Sequence, residues 1–260
     1  MTFIHDISPT LLSFGGLEIR WYGLLFAVGI MLTYFFIRWV FQKQKYPLDK
    51  LDSVVLFLFF GLVIGARLGH VFFYEWDYFS AQPLEILKIW NGGLASHGAA
   101  IGLFVAYFAW CKINKVKFSQ YIDALVLGMP ITAGFVRLGN FFNSEILGNL
   151  TGSDYGVIFE RVGETLPRHP VQLYSAFMNF LVFAILFVVY KKSFKKMPRM
   201  FFLFLYVLLY FVGRFVVEFW KDLQGPIESL PIQMGQLLSI FPVLIALGYF
   251  IFIYPKQKKS

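Results

Sequence analysis

Charged and polar side chains interrupt an otherwise apolar, helix-forming stretch at residues 128–148. Arg137 and Asn140 are three residues apart and Ser144 follows four residues later, so the three share one face of a helix. An arginine at the centre of a lipid-spanning helix costs about 2.5–3.5 kcal/mol on insertion scales, so it normally faces a protein interior or a watery cavity. We therefore interpret this face, with the nearby Glu145, as part of a functional site. A structural ion pair of Arg137 is the alternative.

A second polar face occurs near the carboxyl end of the chain. Tyr210, Arg214 and Glu218 are spaced at i, i+4 and i+8 within an apolar run and line one helical face. A guanidinium group offers a planar, permanently charged fork of N–H donors that suits a phosphate. Arg214 is therefore a candidate anion ligand, although Glu218 could instead simply neutralise it.

A histidine follows a flexible turn at a predicted membrane boundary. The turn at residues 91–93 (Asn-Gly-Gly) leads into His97, which enters an apolar run. Irregular backbone at membrane depth is tolerated only where protein or water covers it. An imidazole titrates near neutrality and can take or give a proton, but a lone histidine can also be a hydrogen-bonded helix contact.

The composition identifies the elements that must position these residues as membrane helices. The chain has 260 residues, of which 58% are hydrophobic and 33 are phenylalanine, whereas a soluble domain has about 45–50% apolar residues. Cys111 is the single cysteine, which excludes an internal disulfide and a multi-cysteine metal site. No zinc-type histidine spacing occurs, so we expect no metal. We also expect no cofactor.

Apolar runs of about 20 residues, the length that crosses a hydrocarbon core of about 30 Å, predict an all-α, polytopic membrane protein with about seven spans. The predicted spans are residues 21–41, 53–74, 94–111, 121–142, 171–190, 200–220 and 234–254. They form a single transmembrane domain covering residues 1–260. The longer polar connections, at 75–93 and 143–170, are predicted to be periplasmic loops, the second long enough to cover a site. A Gly61, Gly65, Gly69 stripe in the second span suits close helix contact.

The distribution of basic residues predicts the orientation. Fifteen of the 23 lysines and arginines gather at one set of helix ends and five at the opposite set. Because basic loops stay in the cytoplasm, the amino terminus is predicted to be periplasmic and the carboxyl terminus cytoplasmic. The formal net charge of +8 then reflects topology and contacts with anionic membrane lipids. We expect no nucleic acid partner.

Several motifs, in the same order, resemble those of the bacterial prolipoprotein diacylglyceryl transferases, and the resemblance covers most of the chain. They are RWYGL around Tyr22, GARLG around Arg67, GGLASHG around His97, VRLGNFFNSEILG at 136–148, RHPVQLY at 168–174, and the Tyr210, Arg214, Glu218 face. Three positions depart from the usual family residues: Asn91 replaces an aspartate, Ala99 a glycine and Ser175 a glutamate.

The resemblance implies a transferase of the bacterial inner membrane that acts on phosphatidylglycerol and on the lipobox cysteine of a prolipoprotein signal peptide. The diacylglyceryl group would move to the thiol, forming a thioether and releasing glycerol phosphate. The implied catalytic residues are His97, Arg137 and Arg214. The implied substrate-binding residues are Tyr22, Arg67, Asn140, Glu145, Gly148, His169, Tyr210 and Glu218. His97 would either take the thiol proton or position a lipid headgroup.

Two other classes of protein also place charges within the membrane. A transporter or proton relay would use the same Arg, His and Glu residues, but the chain shows no internal repeat of the kind that transporters often carry. A structural or receptor-like protein would not require polar groups on four helices at one depth. A nucleophile elbow of the GxSxG type is absent, so the protein does not supply its own serine nucleophile in that way.

Overall fold

The computed structural model describes residues 1–89, 92–222 and 232–259. Within these ranges the α-helices are α1 (Trp21–Gln44), α2 (Leu48–Phe73), α3 (Trp76–Ala81), α4 (Ser96–Ile113), α5 (Ile122–Val126), α6 (Met129–Phe142), α7 (Val171–Ser193), α8 (Phe201–Glu218), α9 (Met234–Gly248) and α10 (Tyr254–Lys259). Short strands are β1 (Thr2–Ile4), β2 (Thr10–Phe14), β3 (Leu17–Arg20) and β4 (Gly156–Ile158). Asn91, one of the three departures from the family pattern, lies outside the described residues.

Among the described residues, six helical segments are long and apolar enough to cross a membrane. They are Trp21–Gln44, Leu48–Phe73, Ile122–Phe142, Val171–Lys196, Phe201–Glu218 and Met234–Gln257. The span predicted at 94–111 corresponds to α4, which has 18 residues and is therefore about 27 Å long at 1.5 Å per residue, slightly less than the hydrocarbon core. The predicted class, an all-α polytopic membrane protein, is confirmed.

The packing divides the chain into two compact units. The first unit contains residues 1–37 together with the chain from Ile122 onward, and the second contains residues 38–121. Most residues of the predicted site belong to the first unit, whereas Arg67 and His97 belong to the second.

In the first unit, hydrogen bonds between helices fix α6 against α1. The helix breaks between α5 and α6 at Gly128, where Pro130 lacks a backbone N–H to continue the helical ladder. The Thr33 hydroxyl donates to the Gly128 carbonyl at 3.0 Å, and the Thr132 hydroxyl donates to the Gly29 carbonyl at 3.1 Å. Inside a membrane such interhelical hydrogen bonds hold helices in register. They therefore set the rotation of α6 about its own axis.

The amino-terminal end of α8 is capped by a side chain from a different helix. The carboxylate of Asp123, on α5, accepts the backbone N–H of Met200 at 2.6 Å and that of Leu203 at 2.9 Å. The first N–H groups of a helix have no partner within it, and a negative charge is favoured there by the helix dipole. Asp123 thus fixes the start of α8, the helix that carries Arg214.

The described part of the chain contains two small sheets outside the spans, which the sequence did not predict. β1 pairs in parallel with β4, matching Thr2 to Gly156. β2 and β3 form an antiparallel hairpin immediately before α1. The parallel pair joins the amino terminus to the polar segment at 143–170 and so ties that segment to the rest of the first unit.

In the second unit, α2 and α4 pack with their backbones in contact through glycines. A side-chain carbon built at Gly98 would overlap the Gly65 carbonyl oxygen, and one at Gly102 would overlap the Gly61 carbonyl oxygen. At Gly69 it would lie 2.6 Å from the Gly98 Cα. The predicted role of the glycine stripe in close helix packing is confirmed. An apolar groove of about 570 Å³ runs along this contact.

Candidate active site

The first part of the candidate site is the end of α6, where it packs against the start of α1. Asn140 is buried and Arg137 is half-buried. Gly139 permits the contact, because a side-chain carbon there would lie 2.8 Å from Tyr22 Cδ2 and 3.2 Å from Tyr22 Cα. The charges of Glu145 and Arg137 both act on the phenol of Tyr22. The structure therefore brings these four predicted residues together.

Glu145 lies in a turn with an unusual backbone conformation. Ser144 has φ of 54° and Ile146 has φ of 57°, both in the left-handed region. This region is sparsely populated by residues other than glycine and is especially unfavourable for a β-branched residue. Each such residue costs of order 1–3 kcal/mol and persists only where the surrounding structure enforces it, often at functional sites. The turn directs the Glu145 side chain back towards α6.

Three amide side chains hold Glu145 in place. Asn140 Nδ2 donates to Glu145 Oε2 at 3.0 Å, and Asn143 Nδ2 donates to Glu145 Oε1 at 3.1 Å. From α7, Gln172 Nε2 donates to the Glu145 backbone carbonyl at 2.7 Å. The sequence did not single out Asn143 or Gln172 as site residues, since an uncharged amide near a helix end has many possible roles.

The arginines of α6 and α8 have no protein acceptor in the part of the chain that the structure describes. Neither Arg137 nor Arg214 forms an ion pair or a side-chain hydrogen bond with a described residue, and Arg214 Nε is both buried and unpartnered. Leaving a charged donor half-buried without an acceptor is unfavourable. Both guanidinium groups are therefore available to an anion that enters the first unit.

The Glu218 carboxylate pairs with a lysine and not with the arginine one turn before it. Glu218 Oε1 lies 3.5 Å from Lys221 Nζ, and within the described residues no ion pair links Glu218 to Arg214. Glu218 is buried, and its carboxylate packs against Gly235 of α9, where any side-chain carbon would overlap it. The alternative in which Glu218 neutralises Arg214 is therefore not what the structure shows.

Gly148 lies where three backbone segments meet. A side-chain carbon at Gly148 would overlap the His169 carbonyl oxygen and lie 2.8 Å from the Trp220 carbonyl oxygen. Arg168 Nη1 donates to the Gly148 carbonyl at 2.9 Å and to Asp222 Oδ2 at 3.0 Å. Gly148 was predicted to bind substrate, and in the structure its lack of a side chain allows the 148–150 segment to pack beside the end of α8.

His169 is held between two tyrosine hydroxyls. Its Nδ1 lies 3.2 Å from the Tyr174 hydroxyl, and its Nε2 lies 3.5 Å from the Tyr155 hydroxyl. Burial lowers the pKa of His169 below its ordinary value, which favours the neutral ring. A neutral imidazole can donate to one hydroxyl and accept from the other.

In the second unit, the Arg67 guanidinium donates hydrogen bonds to the backbone carbonyl groups of a loop. Arg67 is buried, and its ring contact is with Phe79, 4.8 Å away. Its N–H groups donate to five carbonyl oxygens at 2.6–3.4 Å: those of Ile86, Gly92, Gly93, Glu85 and Lys88. A guanidinium has five N–H donors, so none is left for a phosphate. Arg67 was predicted to bind substrate, and in the structure its guanidinium anchors this loop.

His97 is the second residue of α4 and is exposed. Gly98, the next residue, packs against the backbone of α2 at Gly65 and Gly69. Within the described residues the imidazole has no hydrogen-bond partner. It is therefore free to contact a substrate at the start of α4.

Tyr210 lies one turn before Arg214 on α8 and is half-buried, with its ring 5.7 Å from that of Tyr206. Of the departures from the family pattern, Ser175 accepts a hydrogen bond from Asn179 through its backbone carbonyl, which any residue could supply. Ala99 lies in the first turn of α4, where a helix tolerates alanine better than glycine.

Comparisons with known proteins identify the family of the chain. Residues 9–254 match the family model of prolipoprotein diacylglyceryl transferase. Similar relatives include the phosphatidylglycerol–prolipoprotein diacylglyceryl transferase of Tolumonas auensis, which is 40% identical over 97% of this chain and 98% of the relative. The enzyme of the same name from Chloroherpeton thalassium is 41% identical over 92% and 90%, and that from Bacteroides fragilis is 39% identical over 96% and 95%. This chain belongs to the prolipoprotein diacylglyceryl transferase family.

Proposed function

We propose that the chain transfers the diacylglyceryl group of phosphatidylglycerol to the thiol of the lipobox cysteine in a prolipoprotein. The observation that carries the proposal is the pair of half-buried arginines in the first unit, Arg137 and Arg214, which lack a carboxylate partner among the described residues. Two fixed cations in an apolar protein are suited to an anionic lipid headgroup. The name of the family and the names of its relatives agree with this substrate.

The reaction places new negative charge on the leaving group. The cysteine sulfur bonds to the glycerol carbon that carried the phosphate, and the bond between that carbon and its oxygen breaks. The electron pair leaves with glycerol phosphate, so a phosphodiester with one negative charge becomes a monoester with two, and the thiol proton is released. Groups that bind the monoester more tightly than the diester stabilise the transition state.

Arg137 and Arg214 are proposed to supply that stabilisation. A guanidinium can bind two phosphate oxygens at once, and its hydrogen bonds to an anion strengthen as charge develops. Preorganised donors of this kind each contribute about 10²–10³ in rate. Tyr22, Asn140 and Glu145 would fix the end of α6 and so the direction of the Arg137 side chain.

The thiol must lose its proton before or during attack. A cysteine with a pKa of about 8.5 is mostly protonated at pH 7, and forming the thiolate there costs about 2 kcal/mol. The cations at the site lower this cost, and His97 is a candidate proton acceptor because its imidazole is exposed and has no described hydrogen-bond partner. Tyr210, His169 and Glu218 would shape the space around the headgroup.

The transporter alternative receives no support from the family or from its relatives. We propose that the enzyme lies in the bacterial inner membrane. The distribution of lysine and arginine supports a periplasmic amino terminus and a cytoplasmic carboxyl terminus. Alkaline phosphatase fused to the carboxyl terminus should be inactive. An active fusion would indicate that the carboxyl terminus is periplasmic and would contradict the proposed orientation.

The test of the function is a transfer assay with two matched peptides. Purified protein is mixed with phosphatidylglycerol and a prolipoprotein signal peptide that carries one cysteine, or with the same peptide carrying serine. We expect the cysteine peptide alone to gain the mass of a diacylglyceryl group, with one glycerol phosphate released for each product. Equal modification of the serine peptide, or release of glycerol phosphate without peptide product, would contradict the proposal.

A further inference from the structure

His5 is a fully buried histidine that the proposed reaction does not use. Its side chain lies at the end of β1, where the His5 backbone N–H donates to the Ile158 carbonyl at 2.8 Å. The ring is enclosed by aromatic side chains, with centroids 4.6 Å from Phe141 and 5.4 Å from Phe159. A phenylalanine would fill this space without burying polar nitrogens. Because burying a polar group costs free energy unless it is hydrogen-bonded, we expect a partner for the imidazole.

The partner of the His5 ring lies in the Glu145 turn. His5 Nδ1 lies 3.4 Å from Ser144 Oγ, and Ser144 is buried and has a left-handed backbone. Ser144 immediately precedes Glu145, whose carboxylate meets Asn140 and Asn143. The His5 imidazole therefore supports the strained turn through Ser144. The amides of Asn140 and Asn143 hold the Glu145 carboxylate.

We propose that His5 is a positioning residue for the transfer reaction, acting through Ser144 to hold the turn that presents Glu145. The inference rests on the proposed function, in which Glu145 fixes the end of α6 beside Arg137. It links the amino-terminal strand to the reaction without any contact between His5 and substrate. A change that leaves the ring packing intact but removes the nitrogen then shifts the Glu145 turn.

Two substitutions separate the hydrogen bond from the packing. His5→Phe keeps the aromatic volume but cannot bond to Ser144, whereas His5→Asn keeps a polar atom near the position of Nδ1 but loses the ring. A displacement of about 1 Å at a site can cost about 100-fold in rate. We expect His5→Phe to lower kcat by up to about 100-fold with KM for phosphatidylglycerol little changed, and His5→Asn to retain more turnover than His5→Phe.

The substitution Ser144→Gly should rescue part of the turnover that His5→Phe loses. Because glycine adopts positive φ without strain, Ser144→Gly should relieve the turn of its dependence on His5. We expect the double variant His5→Phe, Ser144→Gly to turn over faster than His5→Phe alone. A histidine that only filled the space between Phe141 and Phe159 would give no such rescue.

A double-mutant comparison with Glu145→Gln decides the inference. If His5 acts through Glu145, then His5→Phe should cause little further loss in a Glu145→Gln background, because coupled residues do not act additively. Independent, multiplying losses would overturn the role of His5 while leaving the transfer function in place. Absence of transfer by the unmodified protein would instead overturn the function itself. Should His5→Phe not be recovered from membranes, Ser144→Ala, which removes the same hydrogen bond, takes its place in the comparison with Glu145→Gln.

Discussion

Glu218 and Lys221 form an ion pair, with Glu218 Oε1 3.5 Å from Lys221 Nζ. The pairing matters because Arg214, one helical turn before Glu218, would otherwise be its natural partner. With the carboxylate directed to Lys221 and packed against Gly235, the Arg214 charge has no carboxylate partner among the described residues. An arginine of this kind is more consistent with binding an anionic substrate than with a structural pair.

Neutralising Glu218 should therefore not restore a protein that has lost Arg214. We expect Arg214→Gln to be severely impaired in transfer and the double variant Arg214→Gln, Glu218→Gln to be at least as slow. In a structural pair, one lost partner leaves a buried charge that removal of the other partner relieves. Initial transfer rates of the two single variants and the double variant test this. Recovery of the double variant towards the unmodified rate would show that the two residues do neutralise each other.

Arg67 should matter for stability more than for substrate affinity. Lysine has three N–H donors and cannot reach the five carbonyl oxygens that Arg67 satisfies, so Arg67→Lys leaves buried carbonyls unpaired at about 1–3 kcal/mol each. We expect a lower midpoint of thermal unfolding in detergent, with KM for phosphatidylglycerol unchanged in the folded fraction.

A matched control for this variant is Arg20→Lys. Arg20 is exposed and pairs with Glu18 at 3.0 Å, and exposed pairs of this kind contribute little to stability. The control should therefore unfold at the same temperature as the unmodified protein. A normal unfolding temperature for Arg67→Lys, accompanied by a raised KM, would restore Arg67 to the substrate site.

The glycine contact between α2 and α4 should not tolerate even a methyl group. A side-chain carbon at Gly102 would overlap the Gly61 carbonyl oxygen, whereas one at Gly248 would have no neighbour within 4 Å. Gly102→Ala should lower the unfolding temperature, and Gly248→Ala should leave it unchanged or raise it, since alanine is favoured in helices. Equal unfolding temperatures for the two variants would mean that the backbones are not in contact.

The buried His5 should make stability depend on pH. Burial lowers the pKa of His5 below its ordinary value of 6.5, although a backbone hydrogen bond and the nearby Asp6 raise the pKa in part, and Arg161 lowers it slightly further. Below about pH 6.5 the unfolded chain therefore binds a proton that the folded protein resists. Stability is complete above this pH and falls as the pH drops from about 6.5 towards the lowered pKa.

Unfolding temperatures measured between about pH 7.5 and 5 for the unmodified protein and for His5→Phe isolate this contribution. Other groups titrate equally in both proteins, so the difference reports on His5. We expect a shallower decline at acid pH in the variant. Identical pH profiles would indicate that His5 is as readily protonated in the folded protein as in the unfolded chain.

The sequence predicted the membrane class and the close contact of α2 with other helices because lipid restricts which residues can face it. It also identified the polar face of α6, since a charge in an apolar run is conspicuous. The partners of those charges depend on tertiary packing that no spacing reveals. Arg67 and Arg137 look alike in the sequence. In the structure Arg67 donates its hydrogen bonds to backbone carbonyls, whereas Arg137 has no acceptor in the described part of the chain.

The sequence also failed to identify several uncharged residues that support the candidate site. Gln172 and Asn143 hold Glu145, and His5 reaches the same turn from a distant part of the chain. An amide or a buried histidine carries no signal in a sequence, because such residues are common in helix contacts and loops. The short parallel pairing of β1 with β4 was missed for a related reason, since strands of three residues have no detectable periodicity.

Arg137 and Arg214 are proposed to bind the phosphate whose charge increases during transfer. The most direct measurement is the turnover of Arg137→Lys and Arg214→Lys in the cysteine-peptide assay, at equal amounts of folded protein. Lysine keeps the charge and loses the bidentate fork, so we expect each variant to lose about 10²–10³ in kcat with its unfolding temperature preserved. Unchanged turnover in either lysine variant would contradict the claim for that arginine.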